Sequence, residues 1–288
     1  MTEAFLPARG WGPQGRRAAL SITFDNLGEA AELETGVWGG RPIGAHRTAA
    51  FIPELISLLG DVKATYFIEA SNVALYPDVI RQWHEAGHEV GLHAWRHEVW
   101  DRCPSERRLD LLSRSFEAMG ELGIHPVGFR PPGGPISIEA WIELKDAGLL
   151  YCSQAGKPEV NEVRGLVSIP FEWRSVDAYM LEDLMGAMRT QLGDPQTPPG
   201  IAAWRAHLHS QLADALAAGG HRTVIFHPTF LAMSEEKLSV VRELIASAKR
   251  EDVWIARADD VAQFVAAELN MLRDAPPARV AARAQDLN

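Results

Sequence analysis

Cysteine is scarce. The 288 residues include two, Cys103 and Cys152, far apart and in no Cys-x-x-Cys pair. They leave no disulfide framework to build and read as buried or incidental thiols in a reducing compartment. Positive charge is also in deficit. Lys and Arg number 28 against 38 Asp and Glu, a formal net charge of −10, which argues against a nucleic-acid partner and against an anionic membrane surface. No apolar run approaches the length of a membrane span. The first twenty residues hold no basic stretch followed by an apolar one, so no secretion signal is read there and a cytoplasmic protein is expected. No Gly-x-Gly-x-x-Gly follows the first strand pattern, which weakens a dinucleotide fold. No internal repeat is found.

What is present looks like one globular α/β domain. The chain is 47% hydrophobic and 23% charged, ordinary for a soluble protein of a length comfortable for one α/β barrel. Short β-rich runs fall at 18–24, 62–68, 88–93, 126–130, 149–153, 166–170, 222–227 and 252–256. Amphipathic stretches fall at 48–59, 77–86, 104–122, 138–147, 201–218, 234–249 and 258–272. Phe51, Ile52, Leu55, Ile56 and Leu59 form one helical stripe, and Pro77 suits a first helical turn. Strands alternating with helices imply parallel pairing. The expected fold is a deformed (β/α) TIM-like barrel of about seven or eight strands in one domain, residues 1–272. Residues 273–288 are expected to form a flexible C-terminal tail, frayed or serving as an oligomer arm, so a homo-oligomer stays open. The stretch 26–46 is long for a βα loop and is read as a lid, a binding loop or a plain excursion.

Polar residues sit where these strands end. The first runs into Thr23-Phe24-Asp25-Asn26 and the third into His93-Ala94-Trp95-Arg96-His97. The fourth runs into Phe129-Arg130-Pro131-Pro132 and the seventh into Phe226-His227-Pro228. In a barrel the C-terminal ends of all strands meet on one face, where active sites form. His-x-x-x-His alone is a weak signal; a helical turn after the strand would bring both imidazoles to one side, suited to a metal ion. Glu29, Glu69 and Glu172 lie near strand ends and are reserve candidates for base or ligand. Trp38, Trp95, Trp100 and Trp173 read as rim and core packing before a sugar platform.

These segments together resemble the NodB-homology polysaccharide deacetylases, carbohydrate esterase family 4. Thr23-Phe24-Asp25-Asn26 stands for the family's Thr-Phe-Asp-Asp, His93 to His97 for its His-Ser/Thr-x-x-His, and Arg130-Pro131-Pro132 for its arginine motif. Ile225-Phe226-His227 and, more loosely, Trp173 to Asp177 match the last two. The lack of a signal and the long first loop resemble a cytosolic branch with peptidoglycan-deacetylase-like proteins and allantoinases. The resemblance implies metal ligands His93, His97 and Asn26, with zinc or another divalent ion as cofactor. It also implies catalytic Asp25 as general base, Arg130 aiming it, His227 as proton donor and Asp177 holding that imidazole. The chain departs from the family in two places. Asn26 replaces an aspartate and brings no charge to a cation, so Asp25 is an alternative ligand. Ala94 replaces the Ser/Thr that steadies the histidine loop.

The function expected is hydrolysis of a non-peptide C–N bond, with metal-dependent deacetylation of an N-acylated sugar or sugar-like amine as the first reading. An amidase acting on a ureide, cyclic imide or formamide with weak or no metal is the second. A catalytically silent carbohydrate-binding barrel is the third. The partner expected is a small-molecule or sugar-derived substrate.

Overall fold

A computed structural model describes residues 5–36, 39–40 and 42–273. The expected tail from 274 onward and Trp38 lie outside the described residues. The helix expected to end at 272 is Ala258–Arg273.

Nine strands form one sheet. In chain order they are β1 (Ala18–Asp25), β2 (Thr65–Ile68), β3 (Glu89–Leu92), β4 (Gly128–Phe129), β5 (Tyr151–Cys152), β6 (Asn161–Val163), β7 (Leu166–Ser168), β8 (His221–Phe226) and β9 (Val253–Ile255). Their spatial order is β6-β7-β5-β4-β3-β2-β1-β8, with β9 on β1. Every pairing is parallel except the β6–β7 hairpin. All eight expected strands are present, and β6 is an addition. Every helix expected from the apolar stripes is there to within a residue or two, as with Arg47–Leu59, Ser105–Glu121 and Ile201–Ala218.

The barrel is deformed in two ways that local sequence patterns do not carry. Between β7 and β8 the wall is reduced to a single parallel bridge, Val176 to Ile225. The last strand does not take a full wall position either. β9 pairs with the start of β1, Ala18 to Val253, while β2 pairs with its end, Thr23 to Thr65. One edge of a long strand is thus shared by two short ones.

Strand β1 is buried along its whole length, as a central parallel strand must be. Its side chains alternate. Ala18, Leu20, Ile22 and Phe24 pack in the main core, with Trp83, Trp204 and Phe226. Ala19, Ser21, Thr23 and Asp25 therefore point into the barrel. The interior is filled by Phe67 and Tyr151, edge to face at 6.2 Å. Gly91 and Gly128 make that filling fit, since a Cβ on Gly128 would lie 2.0 Å from the Tyr151 ring and one on Gly91 2.6 Å from Phe67.

Helix Ala258–Arg273 closes the barrel's lower end. Val261, Ala262 and Val265 pack with Phe67, Tyr151 and Val167. Its first N–H groups are met from the starts of two strands: Ala258 N donates to Thr65 Oγ1 (2.8 Å) and Asp259 N to Glu89 Oε2 (2.9 Å). With four unpaired N–H groups at any helix start, these acceptors seat the plug. The open end is left to the C-terminal ends of the strands.

Candidate active site

Parallel pairing aligns the strand ends, so residues just past them share one rim. Asp25 ends β1. Glu69, His93, Arg130, Ser153 and His227 each follow directly on β2, β3, β4, β5 and β8. Arg130, 1% exposed, is the hub. Its Nη1 donates to Asp25 Oδ1 (2.6 Å) and to Thr23 Oγ1 (2.9 Å), and its Nη2 to Ser153 Oγ (2.9 Å). The guanidinium lies 4.0 Å above the Phe67 ring, a planar cation on an aromatic face. The result is a buried carboxylate held in one direction by a charge-assisted bond.

Asp25 Oδ2 faces His93 Nε2 at 4.0 Å. His93 Nδ1 donates to the carbonyl of Arg130 at 2.8 Å, so its Nε2 lone pair is turned toward the carboxylate side. The His97 ring stands 4.9 Å from the His93 ring, centre to centre. The two imidazoles do share one side, but not through a helical turn. Residues 94–96 form a turn with Ala94 at φ 62° and His97 at φ 80°, a left-handed backbone that side chains other than Gly adopt rarely. Support comes from Glu98, whose Oε2 accepts from the N–H groups of Trp95 (3.1 Å) and Arg96 (2.8 Å). That is the loop anchor missing at Ala94. Burial depresses both imidazoles to about 3, so at neutral pH both are uncharged and keep a lone pair, as a metal ligand requires.

Asn26 borders the same cavity, with φ 63° and Oδ1 buried without a hydrogen-bond partner among the described residues. The reserve candidate Glu69 is fully buried. One of its carboxylate oxygens and one ring nitrogen from each of His93 and His97 lie within 4.8 Å of one another. Burial pushes Glu69 up to about 8. Glu69 Oε1 and His97 Nδ1 are both buried with no partner among the described residues. Unpaired buried acceptors are costly, and a cluster of them with imidazole nitrogens fits a divalent cation.

On the far side of Asp25, the bridge between Val176 and Ile225 brings Asp177 beside the end of β8. Asp177 is fully buried. Its Oδ2 accepts from His227 N (2.7 Å) and its Oδ1 from His227 Nδ1 (2.6 Å). Burial opposes a charge on the His227 ring, but the Asp177 charge and hydrogen bond outweigh it, and the ring's pKa lies above the ordinary imidazole value. His227 is thus the imidazole suited to carry a proton, and His93 and His97 the pair suited not to.

A cavity of about 540 Å³ joins these groups. Asp25, His93, His97, Arg130 and His227 border it, with Phe171, Trp173, Met185 and Met188 among its apolar walls. Residues of the 26–46 stretch, Ala31, Glu32 and His46, border it too, so that stretch is part of the site's wall. Two reserve acids are accounted for elsewhere. Glu29 accepts from Tyr76 Oη (2.6 Å) and Gly44 N (2.8 Å) and ties the long loop down. Glu172 borders a separate cleft with His207 and Gln211. Trp100 packs on Phe129 in the core and Trp95 lies under Arg114; among the described tryptophans singled out above, Trp173 is the one on the cavity.

Residues 14–152 match the polysaccharide deacetylase family. Chitin deacetylase 1 of Saccharomyces cerevisiae is 34% identical over 88 residues, which are 30% of this chain and 29% of that protein; the match thus spans under a third of the yeast protein. A solved structure from Mycobacterium smegmatis, described as a polysaccharide deacetylase, superposes with a TM-score of 0.74 at 25% identity, covering 92% of this chain and 96% of that one. The Puue allantoinase structure shares the fold, with a TM-score of 0.69 at 19% identity over 88% of this chain and 91% of its own. The stretch that matches the polysaccharide deacetylases, residues 14–152, holds Asp25, Glu69, both rim histidines and Arg130.

Proposed function

We propose that the protein hydrolyses a non-peptide amide, removing the acyl group from an N-acylated sugar or sugar-like amine. The observation that carries this reading is that two groups held in different ways border one cavity: Asp25, clamped by Arg130 at 2.6 Å, and His227, bonded to Asp177 at 2.6 Å. Amide hydrolysis needs a base for water and an acid for the departing nitrogen. Two unpaired cysteines support a cytoplasmic setting. No described helix is long and apolar enough to cross a membrane.

Asp25 accepts the proton of the attacking water through the oxygen not bound to Arg130. Arg130 fixes the direction of that carboxylate. His227, protonated and facing the cavity through Nε2, gives its proton to the nitrogen as the C–N bond breaks; the acyl carbon keeps the water oxygen with its second hydrogen and leaves as a carboxylic acid that ionises in solvent, and the proton on Asp25 is passed on to restore both groups. Asp177 stabilises the imidazolium before transfer and orients the ring. His93 and His97 would hold a divalent cation such as zinc, which supplies positive charge to the carbonyl under attack. The apolar walls around Trp173 and Met188 exclude water beside the reacting bond.

A second reading, an amidase for a ureide or cyclic imide, is favoured by Asn26 in place of an acid and by a cavity walled with methionines. Acetate or amine release from N-acetylglucosamine oligomers, ureides and cyclic imides, each with and without chelator, decides between them. The first reading predicts acetate from an N-acetylated sugar and loss of turnover on chelation. Ureide or imide turnover that survives chelation, with no acetate from any sugar, overturns it.

A further inference from the structure

We infer that the third protein ligand of the cation is Glu69, so that the carboxylate lacking at position 26 is supplied from the neighbouring strand. The inference rests on the metal-assisted reading of this site and is independent of which amide is cleaved.

Two neutral imidazoles alone make a weak cation site. Hard divalent ions are drawn by carboxylate charge, and catalytic zinc commonly has three protein ligands. Position 26 offers only an amide oxygen. Strand β2 lies between β1 and β3, with Asp25 in register with Phe67 and Leu92 with Ile68. Glu69 therefore emerges between the strand that carries Asp25 and the strand that carries His93.

The two oxygens of Glu69 are in different states. Oε2 accepts from Leu27 N and from Asn72 Nδ2, each at 3.2 Å. These bonds shape the chain as it leaves β1 and hold the carboxylate in place. Oε1 is buried and has no partner among the described residues. Here one oxygen is fixed by the loop and the other has no hydrogen-bond partner among the described residues, while the carboxyl group as a whole lies beside two imidazoles. Atoms around a tetrahedral zinc at about 2.0–2.1 Å stand roughly 3.4 Å apart. The Glu69 oxygen and the two ring nitrogens already lie within 4.8 Å of one another, a gap that small side-chain rotations close. The Leu27 and Asn72 bonds then act as the outer support that orients a metal ligand.

The test is cobalt binding to the full chain after removal of bound metal, read by calorimetry and by the visible absorption of Co(II), with no substrate present. Wild-type protein is expected to bind one cobalt per chain. Glu69→Gln, which keeps an acceptor for Leu27 N, should weaken binding by at least the roughly 100-fold that loss of an outer support alone can cost. Asn26→Asp in the Glu69→Gln background should recover much of it, because a carboxylate returns to the same cavity. Affinity unchanged in Glu69→Gln overturns the assignment, as does a wild-type protein that binds no cobalt. In the latter case amide turnover measured without metal shows whether the hydrolase reading survives by itself. If Glu69→Gln does not fold, anomalous scattering from cobalt-loaded wild-type crystals decides the point. A Glu69 oxygen in the cobalt shell supports the inference, and an ion held by His93, His97 and Asn26 without Glu69 overturns it.

Discussion

The barrel buries a carboxylate at each end, and the two are treated differently. At the floor, Glu89 accepts from Thr65 Oγ1 and Tyr151 Oη (both 2.7 Å) and from Asp259 N (2.9 Å). Both of its oxygens are occupied, and all its partners belong to the strands and the helix that plug the barrel. At the rim, Glu69 Oε1, His97 Nδ1 and Asn26 Oδ1 are buried without partners among the described residues. Asn26 and His97 border a cavity with Asp25 and Arg130, and Glu69 lies beside His93 and His97. The polar residue types are similar and burial is similar. Between Glu89 and the Glu69 group, the difference is whether the hydrogen-bonding capacity of these side chains is used up.

The largest break in that contrast should come from Asp25→Asn. Loss of the base is expected to lower kcat by roughly 10² or more. Arg130 also loses its carboxylate while fully buried, so stability should fall on the order of 3 kcal/mol. Turnover is therefore compared per folded molecule, well below the melting temperature. Near-wild-type kcat would remove Asp25 from the chemistry.

Asp177→Asn should have a smaller effect with a distinct signature. His227 is charged below its raised pKa, so the activity it supports fades as pH rises through that value. Without the Asp177 charge the ring gives up its proton at lower pH, and the alkaline limb of kcat/KM should move down, with kcat at neutral pH lower by roughly 10-fold or more. The stability supplied by the pair follows the same sign: full below the ordinary imidazole pKa, lost as pH rises through the raised one. An alkaline limb that stays in place would assign it to another group.

Glu89→Gln at the floor should have the smallest effect. Burial, with the Asp259 charge beside it, holds the Glu89 carboxyl above its usual range. A group raised in this way supplies stability that fades as pH climbs through its folded value. Glutamine cannot ionise, so the variant should lie within about 1 kcal/mol of wild type in acid, where the carboxyl is protonated in both states, and gain on it in urea titrations as pH rises from the ordinary carboxyl range toward about 8. Turnover should not change. A drop in kcat per folded molecule would mean that floor and rim are coupled.

Much of this was legible in the chain. Strand β1 announced itself through an apolar run ending in Asp25, and the ends at His93, Arg130 and His227 followed because parallel strands align their termini. β6 escaped because Asn161–Val163 has no alternation of burial and is paired only through a turn at Arg164 and Gly165, both left-handed. The opening between β7 and β8 and the sharing of β1 by β2 and β9 are long-range registers, which periodicity does not encode. The two histidines were expected on a helical turn, yet Glu98 and left-handed residues at Ala94 and His97 set them instead. Glu69 was visible as one of three acids near strand ends. Only its neighbours separate it from Glu29, which is fully engaged with Tyr76 and Gly44, and from Glu172, which faces another cleft.

The most direct measurement is the turnover number per folded molecule of Asp25→Asn and Glu89→Gln, side by side on one amide substrate. The account predicts that the rim variant loses roughly 10² or more in kcat while the floor variant keeps wild-type turnover. Equal losses in the two, or full turnover in the rim variant, would contradict it.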